Sequence, residues 1–499
     1  MTRSGSLIGL DVGTSGARAV AIDSLGKVVA AASESYPLSV PHPGWAEQDP
    51  QHWWTASLKV LGRVASELSD PPLGLGLTGQ MHGSVFLDAG DRVIRPALLW
   101  NDQRTQSQCR TISETVGADR LIEITGNPAI TGFQAPKVLW LRENEPASYA
   151  RVRRILLPKD YIRLCLTGES ATDVSDASGT LLLDLKRREW SDEILHVLEI
   201  PRSWLSSVYE SPDLTGRVSA AAAAATGLPA GLSVAAGAGD NAAAAVGNGI
   251  VREGLVSSSI GTSGVVLADS ATPRIDPKGR LHAFCHAVPG RYHLVGVTLS
   301  AGGSLRWWRD AAGGQDYEAL SSLAAQAPAG SEGLVFLPYL TGERTPHLDP
   351  RARGAFVGLN LRHTQAHLTR AVMEGVTYSL KDCLDLMVEL GVPVTEVRAT
   401  GGGSRSQVWR QMLADVFGRP VHRVESDEGP AFGAALLAGV AGGVYADVFE
   451  AASVVHVNPD AEVADPDRHR TYDGYYAAYV DAYRAIAPVM HRLADLSAQ

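Results

Sequence analysis

In the segment 234–242, Val-Ala-Ala-Gly-Ala-Gly-Asp-Asn-Ala, a single ionisable group, Asp240, and its amide neighbour Asn241 are surrounded by small residues. A carboxylate placed this way can take a proton from an attacking alcohol. Phosphoryl transfer asks little more of a protein than one positioned base, a metal and amides that hold phosphates. Asp240 is therefore the candidate catalytic base. An element suited to phosphates occurs twice: Gly13-Thr14-Ser15-Gly16 recurs as Gly261-Thr262-Ser263-Gly264 about half a chain later. Asp11 precedes the first copy at the end of an apolar run, where a carboxylate can stand near magnesium. For one copy alone, a plain glycine hairpin capped by Asp11 is an equal reading. Two copies facing each other across a cleft would clamp a triphosphate.

Three further segments bear on a site. Gly401-Gly402-Gly403 lies between strand-like residues 394–400 and helix-like residues 407–417, so backbone there can approach a base or ribose closely. A lone glycine triplet is also an ordinary strand-to-helix turn, and the company of the two hairpins favours the first reading. Gln80, Met81 and His82 sit between Gly79 and Gly83, and Trp100-Asn101-Asp102-Gln103-Arg104 follows a second apolar run. Taken singly, His82 reads as a structural histidine and Trp100 as core. Their dense polar context suits a wall for a polyol. Residues 336–347 read as a cleft-edge loop, with a salt-bridged structural loop as the default.

A different chemistry competes at Asp240, because residues 237–242 also fit the GxGxxA dinucleotide pattern. A dehydrogenase needs an acidic residue about 20 positions further on to hold the ribose. Residues 255–268 carry none. The pattern would also set the Asp240 carboxylate against a pyrophosphate, a like-charge contact.

The elements that must position these groups are α/β in character. Strand-like runs at 7–10, 19–22, 73–77, 256–260, 265–267 and 394–400 alternate with helix-like runs at 367–389 and 407–417. Residues 220–225 are all alanine and read as a surface helix, and Tyr472, Tyr475, Tyr476, Tyr479 and Tyr483 recur at helical spacing as packing residues. The repeat and the 499-residue length predict two domains, 1–249 and 250–499.

A net charge of 44 − 54 = −10 disfavours nucleic acid and anionic lipid as partners. Cys109, Cys165, Cys285 and Cys383 form no CxxC pair, which fits a reducing, cytoplasmic setting. Residues 1–5 lack the apolar core of a signal peptide, and the Ala/Gly-rich stretch 218–251 is broken by Pro229, Asp240 and Asn241 rather than reading as a membrane span.

Taken together, GLDVGTSG, GQMHG, LLWNDQR, LLPKDY, AGAGDNAAAAVG, SIGTSG, FLPYLTGERTPH and GGGSRSQVWRQMLAD, co-linear from residue 7 to beyond 439, closely resemble the FGGY carbohydrate kinases. The resemblance implies two ribonuclease-H-like domains of the actin and hexokinase ATPase type flanking a deep cleft, with ATP and Mg2+ as cofactors and a small ketose as partner. It implies that Asp240 is the base, that Met81 and His82 touch the sugar with Gln80, Trp100 and Asn241 nearby, and that Asp11 helps place magnesium. For ATP it implies Thr14, Ser15 and Arg18 near the terminal phosphates, Gly261 and Thr262 opposite them, and Gly302, Gly402 and Ser406 around the adenosine. The GQMHG and WND segments resemble members that phosphorylate D-xylulose, ahead of ribulose, gluconate or glycerol. An actin-like ATPase without a sugar substrate is the alternative from another class, and a homodimeric assembly stays open.

Overall fold

The structure is a computed structural model that describes residues 5–425 and 428–497. Its first sheet has seven strands. Leu7–Val12 pairs antiparallel with Gly16–Ile22, which pairs antiparallel with Val28–Ser35. On its other side Leu7–Val12 runs parallel to Gly74–Gly79, followed by Ser233–Ala235 and the edge strand Leu214–Arg217. The short strand Ala238–Gly239 adds to the end of Gly74–Gly79.

The second sheet repeats the plan in six strands. Gly254–Ile260 pairs antiparallel with Gly264–Ser270, which pairs antiparallel with Tyr292–Thr298. Gly254–Ile260 also runs parallel to Val394–Thr400, which runs parallel to Val421–Arg423, and His282–Cys285 closes the opposite edge. In both sheets a three-strand meander continues into parallel strands from its first member, in the order 3-2-1-4-5. This is the ribonuclease-H-like mixed sheet expected from the sequence, built twice.

The glycine repeats are therefore hairpin tips at equivalent corners of two sheets. Predicted elements recur: Val394–Thr400 is a strand and Gln407–Phe417 a helix with the expected bounds, while the helix expected over 367–389 begins earlier, as Gln365–Glu389. The alanine run forms the helix Ala220–Thr226. The tyrosines lie on Pro466–Ser497, with Tyr472 and Tyr479 buried in the core of the second half.

One helix crosses between the halves. Gly429–Ala441 lies on the first sheet, so close that a Cβ on Gly9 would stand 1.9 Å from the Ala431 carbonyl oxygen and one on Gly76 1.9 Å from that of Ala434. It also crosses the helix Asp240–Gly247, where a Cβ on Gly433 would come within 1.8 Å of the Ala243 carbonyl. Only glycine permits such backbone contact. Residues 7–22, 238–251 and 431–455 thus share one apolar cluster. Among the described residues no helix is long and apolar enough to cross a membrane.

Candidate active site

Three parallel strand ends converge. The register sets Asp11 beside Thr78 and Ala238 beside Thr78 in turn, so Asp11, the turn Gln80-Met81-His82 and the helix that begins at Asp240 all emerge at one edge of the first sheet. Ligands of open α/β sheets bind at such carboxyl ends. The structure therefore brings together Asp11, Gln80, Met81, His82, Asp240 and Asn241, which lie in three separate parts of the sequence.

Asp240 is the first residue of its helix and partly buried; its Oδ1 accepts from the Asn241 amide at 2.7 Å and from Asn241 Nδ2 at 3.2 Å. Burial raises its pKa to about 6, against the opposing effect of the Asn241 amide. Asp11 rises to about 7, chiefly through burial, then through the neighbouring Asp240 charge, with Arg18 working the other way. Two carboxylates that repel each other in a partly dry corner bind protons or a cation more tightly than either would alone.

Asp11 Oδ1 is buried with no hydrogen-bond partner. Such an orphaned oxygen suits a cation. Among the described residues no cluster of three or more His, Cys, Asp or Glu could hold a metal; magnesium takes one or two carboxylates and completes its shell with waters and phosphates.

The first hairpin is held by side chains. Tyr36 donates its hydroxyl to the Gly13 carbonyl, Gln80 Nε2 donates to the same oxygen at 3.3 Å, and Gln48 Nε2 donates to the Thr14 carbonyl at 2.7 Å. Trp100, 42% exposed rather than in the core, donates Nε1 to Thr14 Oγ1 at 2.9 Å. The sugar-wall and phosphate-loop candidates are therefore one connected surface. Ser15 is exposed at the tip. Arg18 shares the face of Asp11, and its guanidinium pairs with Glu428, just ahead of the crossing helix, and bonds Ser33 Oγ at 2.8 Å.

Met81 is buried and receives Asn241 Nδ2 at 3.7 Å from its sulfur. His82 has φ +68°. Its Nδ1 lies 2.6 Å from the Gly179 carbonyl, and burial lowers its pKa to about 3. A carbonyl only accepts, so Nδ1 carries the proton and Nε2 keeps its lone pair for a donor such as a hydroxyl. Sequence reasoning missed what supports this wall. Lys137, fully buried, donates Nζ to the His82 carbonyl at 2.7 Å and the Gly132 carbonyl at 2.6 Å, and Phe133 lies 4.6 Å from the His82 ring. The lysine falls on an apolar helix stretch, Gln134–Asn144, where its presence alone was the signal.

On the second half, Thr262 and Ser263 are exposed at the tip. Gly302 starts the helix Gly302–Ala311 and donates its amide to the Gly261 carbonyl at 2.8 Å; a Cβ on it would stand 2.5 Å from that oxygen. Gly401, at φ +76°, packs on the Ile260 backbone, while Gly402 faces open space. Ser406 caps the helix Gln407–Phe417 through the Trp409 amide at 3.2 Å and lies 2.6 Å from Ser321 Oγ.

A cavity of about 360 Å³ joins the two halves here, lined by Asn241, Ala244, Ser259, Gly401, Gly402 and Pro430 among others. It runs from the Asp240 helix to the glycine triplet. Sequence reasoning missed Gly429-Pro430, whose part depends on where the crossing helix docks. A larger cavity of about 440 Å³, among Tyr476, Tyr479, Tyr483 and Asp382, contains none of the residues predicted to bind sugar, ATP or metal. Size therefore does not select the site; the convergence of charged groups and loop tips does.

The dinucleotide pattern finds a different explanation. Gly237, at φ +75°, would place a Cβ 2.0 Å from the Leu77 carbonyl, and Gly239 would place one 2.8 Å from Met81 Cγ. These glycines serve strand packing and leave no cradle for a pyrophosphate.

Both the sequence and the fold have known counterparts. Residues 6–247 match the N-terminal domain of the FGGY family of carbohydrate kinases, and residues 256–442 match its C-terminal domain. The xylulose kinase of Escherichia coli (strain K12) is 42% identical over 487 residues, covering 97% of this chain and 99% of its own. The crystal structure of the xylulose kinase from Rhodospirillum rubrum superposes with a TM-score of 0.92 at 34% identity, over 97% of this chain and 100% of its own. The gluconate kinase from Lactobacillus acidophilus gives 0.94 at 27% identity, over 98% and 100%. The duplicated mixed sheets are thus accounted for: the chain belongs to the FGGY family of carbohydrate kinases.

Proposed function

We propose that this kinase transfers the γ-phosphoryl group of ATP to the terminal hydroxyl of D-xylulose, giving D-xylulose 5-phosphate. The observation that carries the reading is the meeting of Asp240 with Gln80, Met81 and His82 at one sheet edge, beside Asp11 and the first hairpin. The xylulose kinases named above, similar over nearly the whole chain, favour this acceptor.

Asp240, ionised above about pH 6, accepts the hydroxyl proton as the oxygen attacks phosphorus. His82 Nε2 and Asn241 hold neighbouring sugar hydroxyls, with Trp100 and Met81 shaping the wall. Thr14, Ser15 and Arg18 receive the terminal phosphates from one side, and Gly261 and Thr262 from the other. Gly302, Gly402 and Ser406 border the adenosine, and of these Gly402 lines the cavity beside the glycine triplet. Asp11 holds Mg2+, which when bound neutralises phosphate charge. We assign the halves to residues 1–249 and 250–499, with the crossing helix returning to the first sheet. Closure of the halves excludes water from the transfer. The reaction consumes cytoplasmic ATP, and the four cysteines, all free, suit that compartment.

A coupled ADP-release assay over D-xylulose, D-ribulose, L-ribulose, D-fructose, gluconate and glycerol tests the proposal. D-Xylulose should give the highest kcat/KM. A higher value for gluconate would reassign the acceptor, and ATP turnover indifferent to every sugar would favour a non-kinase ATPase.

A further inference from the structure

The loop 336–347 differs from the salt-bridged connector expected of it. Glu343, 2% exposed, accepts from Thr298 Oγ1 and the Leu299 amide, both at 2.9 Å, and from the Arg344 amide at 2.7 Å. Thr345 is tied to the neighbouring strand: its amide donates to the Val297 carbonyl at 3.0 Å, and its hydroxyl donates to the Arg280 carbonyl at 2.9 Å. Arg344, between these two anchors, is partly buried, and among the described residues its guanidinium has no hydrogen-bond or ion-pair partner.

Thr345 fixes this segment to Val297, the strand partner of Val265, which lines the cavity between the halves, and two residues from Val295, the strand partner of His282. Burial first, and the Arg344 charge after it, lower the proton affinity of His82 and His282. Both halves contribute to the sugar wall. His282 is 2.8 Å from Asn127 Oδ1 through Nδ1, and its ring and that of Phe284 lie 5.9 and 6.3 Å from Phe133, which itself packs on His82. Arg344 therefore stands beside the part of this wall that the second half contributes. A fixed fork of donors without a protein acceptor, in a place partly withdrawn from water, is suited to oxygens supplied by a ligand.

We propose that Arg344 is a specificity-determining residue that donates to the acceptor's oxygens remote from the hydroxyl activated by Asp240, namely the C1 hydroxyl and C2 carbonyl of a ketose. The inference rests on the reading of His82 as sugar wall. Because Arg344 is carried by the second half, the bond would also make sugar occupancy favour closure of the two halves.

Steady-state kinetics of R344M, R344K and H82A with D-xylulose and its 1-deoxy analogue test this. R344M should raise the KM for D-xylulose about tenfold to a hundredfold, as expected for losing hydrogen bonds from a charged donor, and leave the KM for ATP unchanged. The handicap of the 1-deoxy analogue seen in the wild type should largely vanish in R344M, and R344K should recover part of it. An undiminished 1-deoxy handicap in both Arg344 variants would overturn the assignment. So would an unchanged sugar KM in R344M while H82A raises it. If neither H82A nor R344M moves the sugar KM, the sugar-wall reading itself falls.

Discussion

The two hairpins share the tetrapeptide Gly-Thr-Ser-Gly yet are built differently. In the first the last strand pair is Val12 with Ala17, and Gly13 donates to the Gly16 carbonyl at 3.0 Å. In the second the pairing runs one step further, to Ile260 with Gly264, and Gly261 donates to Ser263 at 3.0 Å. Both closing glycines lie in strands, where a Cβ on Gly16 would overlap the Glu34 carbonyl and one on Gly264 would overlap Thr298 and Leu380. The surroundings differ as well. Side chains of Tyr36, Gln48 and Gln80 hold the first tip, whereas the amides of Gly302 and Gly303 hold the second. Asp11 faces Arg18 behind the first; Ser259 faces Val265 behind the second. A duplicated scaffold has kept its Gly-Thr-Ser-Gly turn in both halves and its carboxylate–guanidinium pair in one.

The largest test of that asymmetry is D240N, which removes the base but keeps the shape. The kcat should fall by about a thousandfold, with sugar and ATP affinities close to wild type by calorimetry, in line with general-base contributions. In the wild type, kcat/KM should fall as the pH drops through about 6, because Asp240 works ionised. The residual rate of D240N should lack that limb.

D11N should cost about a hundredfold or more in kcat and raise the magnesium requirement, since the ion loses its carboxylate. Adding S259D to D11N should restore nothing. Recovery would mean that the halves are interchangeable and would break the comparison.

G302A attacks the second tip alone. A methyl 2.5 Å from the Gly261 carbonyl must displace that hairpin. The ATP KM should rise about tenfold while the sugar KM holds, because displacements below an ångström are costly at a reacting site.

Stability gives a smaller effect of opposite sign. The raised pKa of Asp11, about 7 against 3.8 unfolded, means that the folded state resists ionisation. No penalty exists below about pH 3.8; it grows as pH rises and is complete above about 7. D11N should therefore raise Tm by about 1–4 °C at pH 8 and leave it unchanged at pH 3.5, measured by calorimetry without magnesium. The smallest change should come from T14V, which frees Trp100 Nε1 and should raise the sugar KM about threefold, as for one neutral hydrogen bond.

Much of this architecture was legible in the residues. Short apolar runs around the glycine repeats gave both hairpins but not the third meander strands, Val28–Ser35 and Tyr292–Thr298, and Asp240 was conspicuous as the one acid among small residues. Other parts depend on long-range packing. The helix Gly429–Ala441 is apolar on every side, which announces burial but not the sheet it will cover. The ionisable groups beneath the sugar wall, such as Lys137, acquire meaning only when residues 55 positions apart meet. Residues 343–345 looked like a salt bridge because opposite charges adjoin. Their side chains do not pair, since Glu343 accepts from Thr298 and Leu299 and, among the described residues, the Arg344 guanidinium has no hydrogen-bond or ion-pair partner.

The most direct measurement is a crystal structure of the wild-type enzyme with magnesium, D-xylulose and a non-hydrolysable ATP analogue. The triphosphate should span from Thr14 to Thr262, with an Asp240 oxygen within hydrogen-bond distance of the sugar hydroxyl that points at the γ-phosphorus. A nucleotide bound away from either hairpin, or an Asp240 with no sugar hydroxyl in reach, would contradict the account.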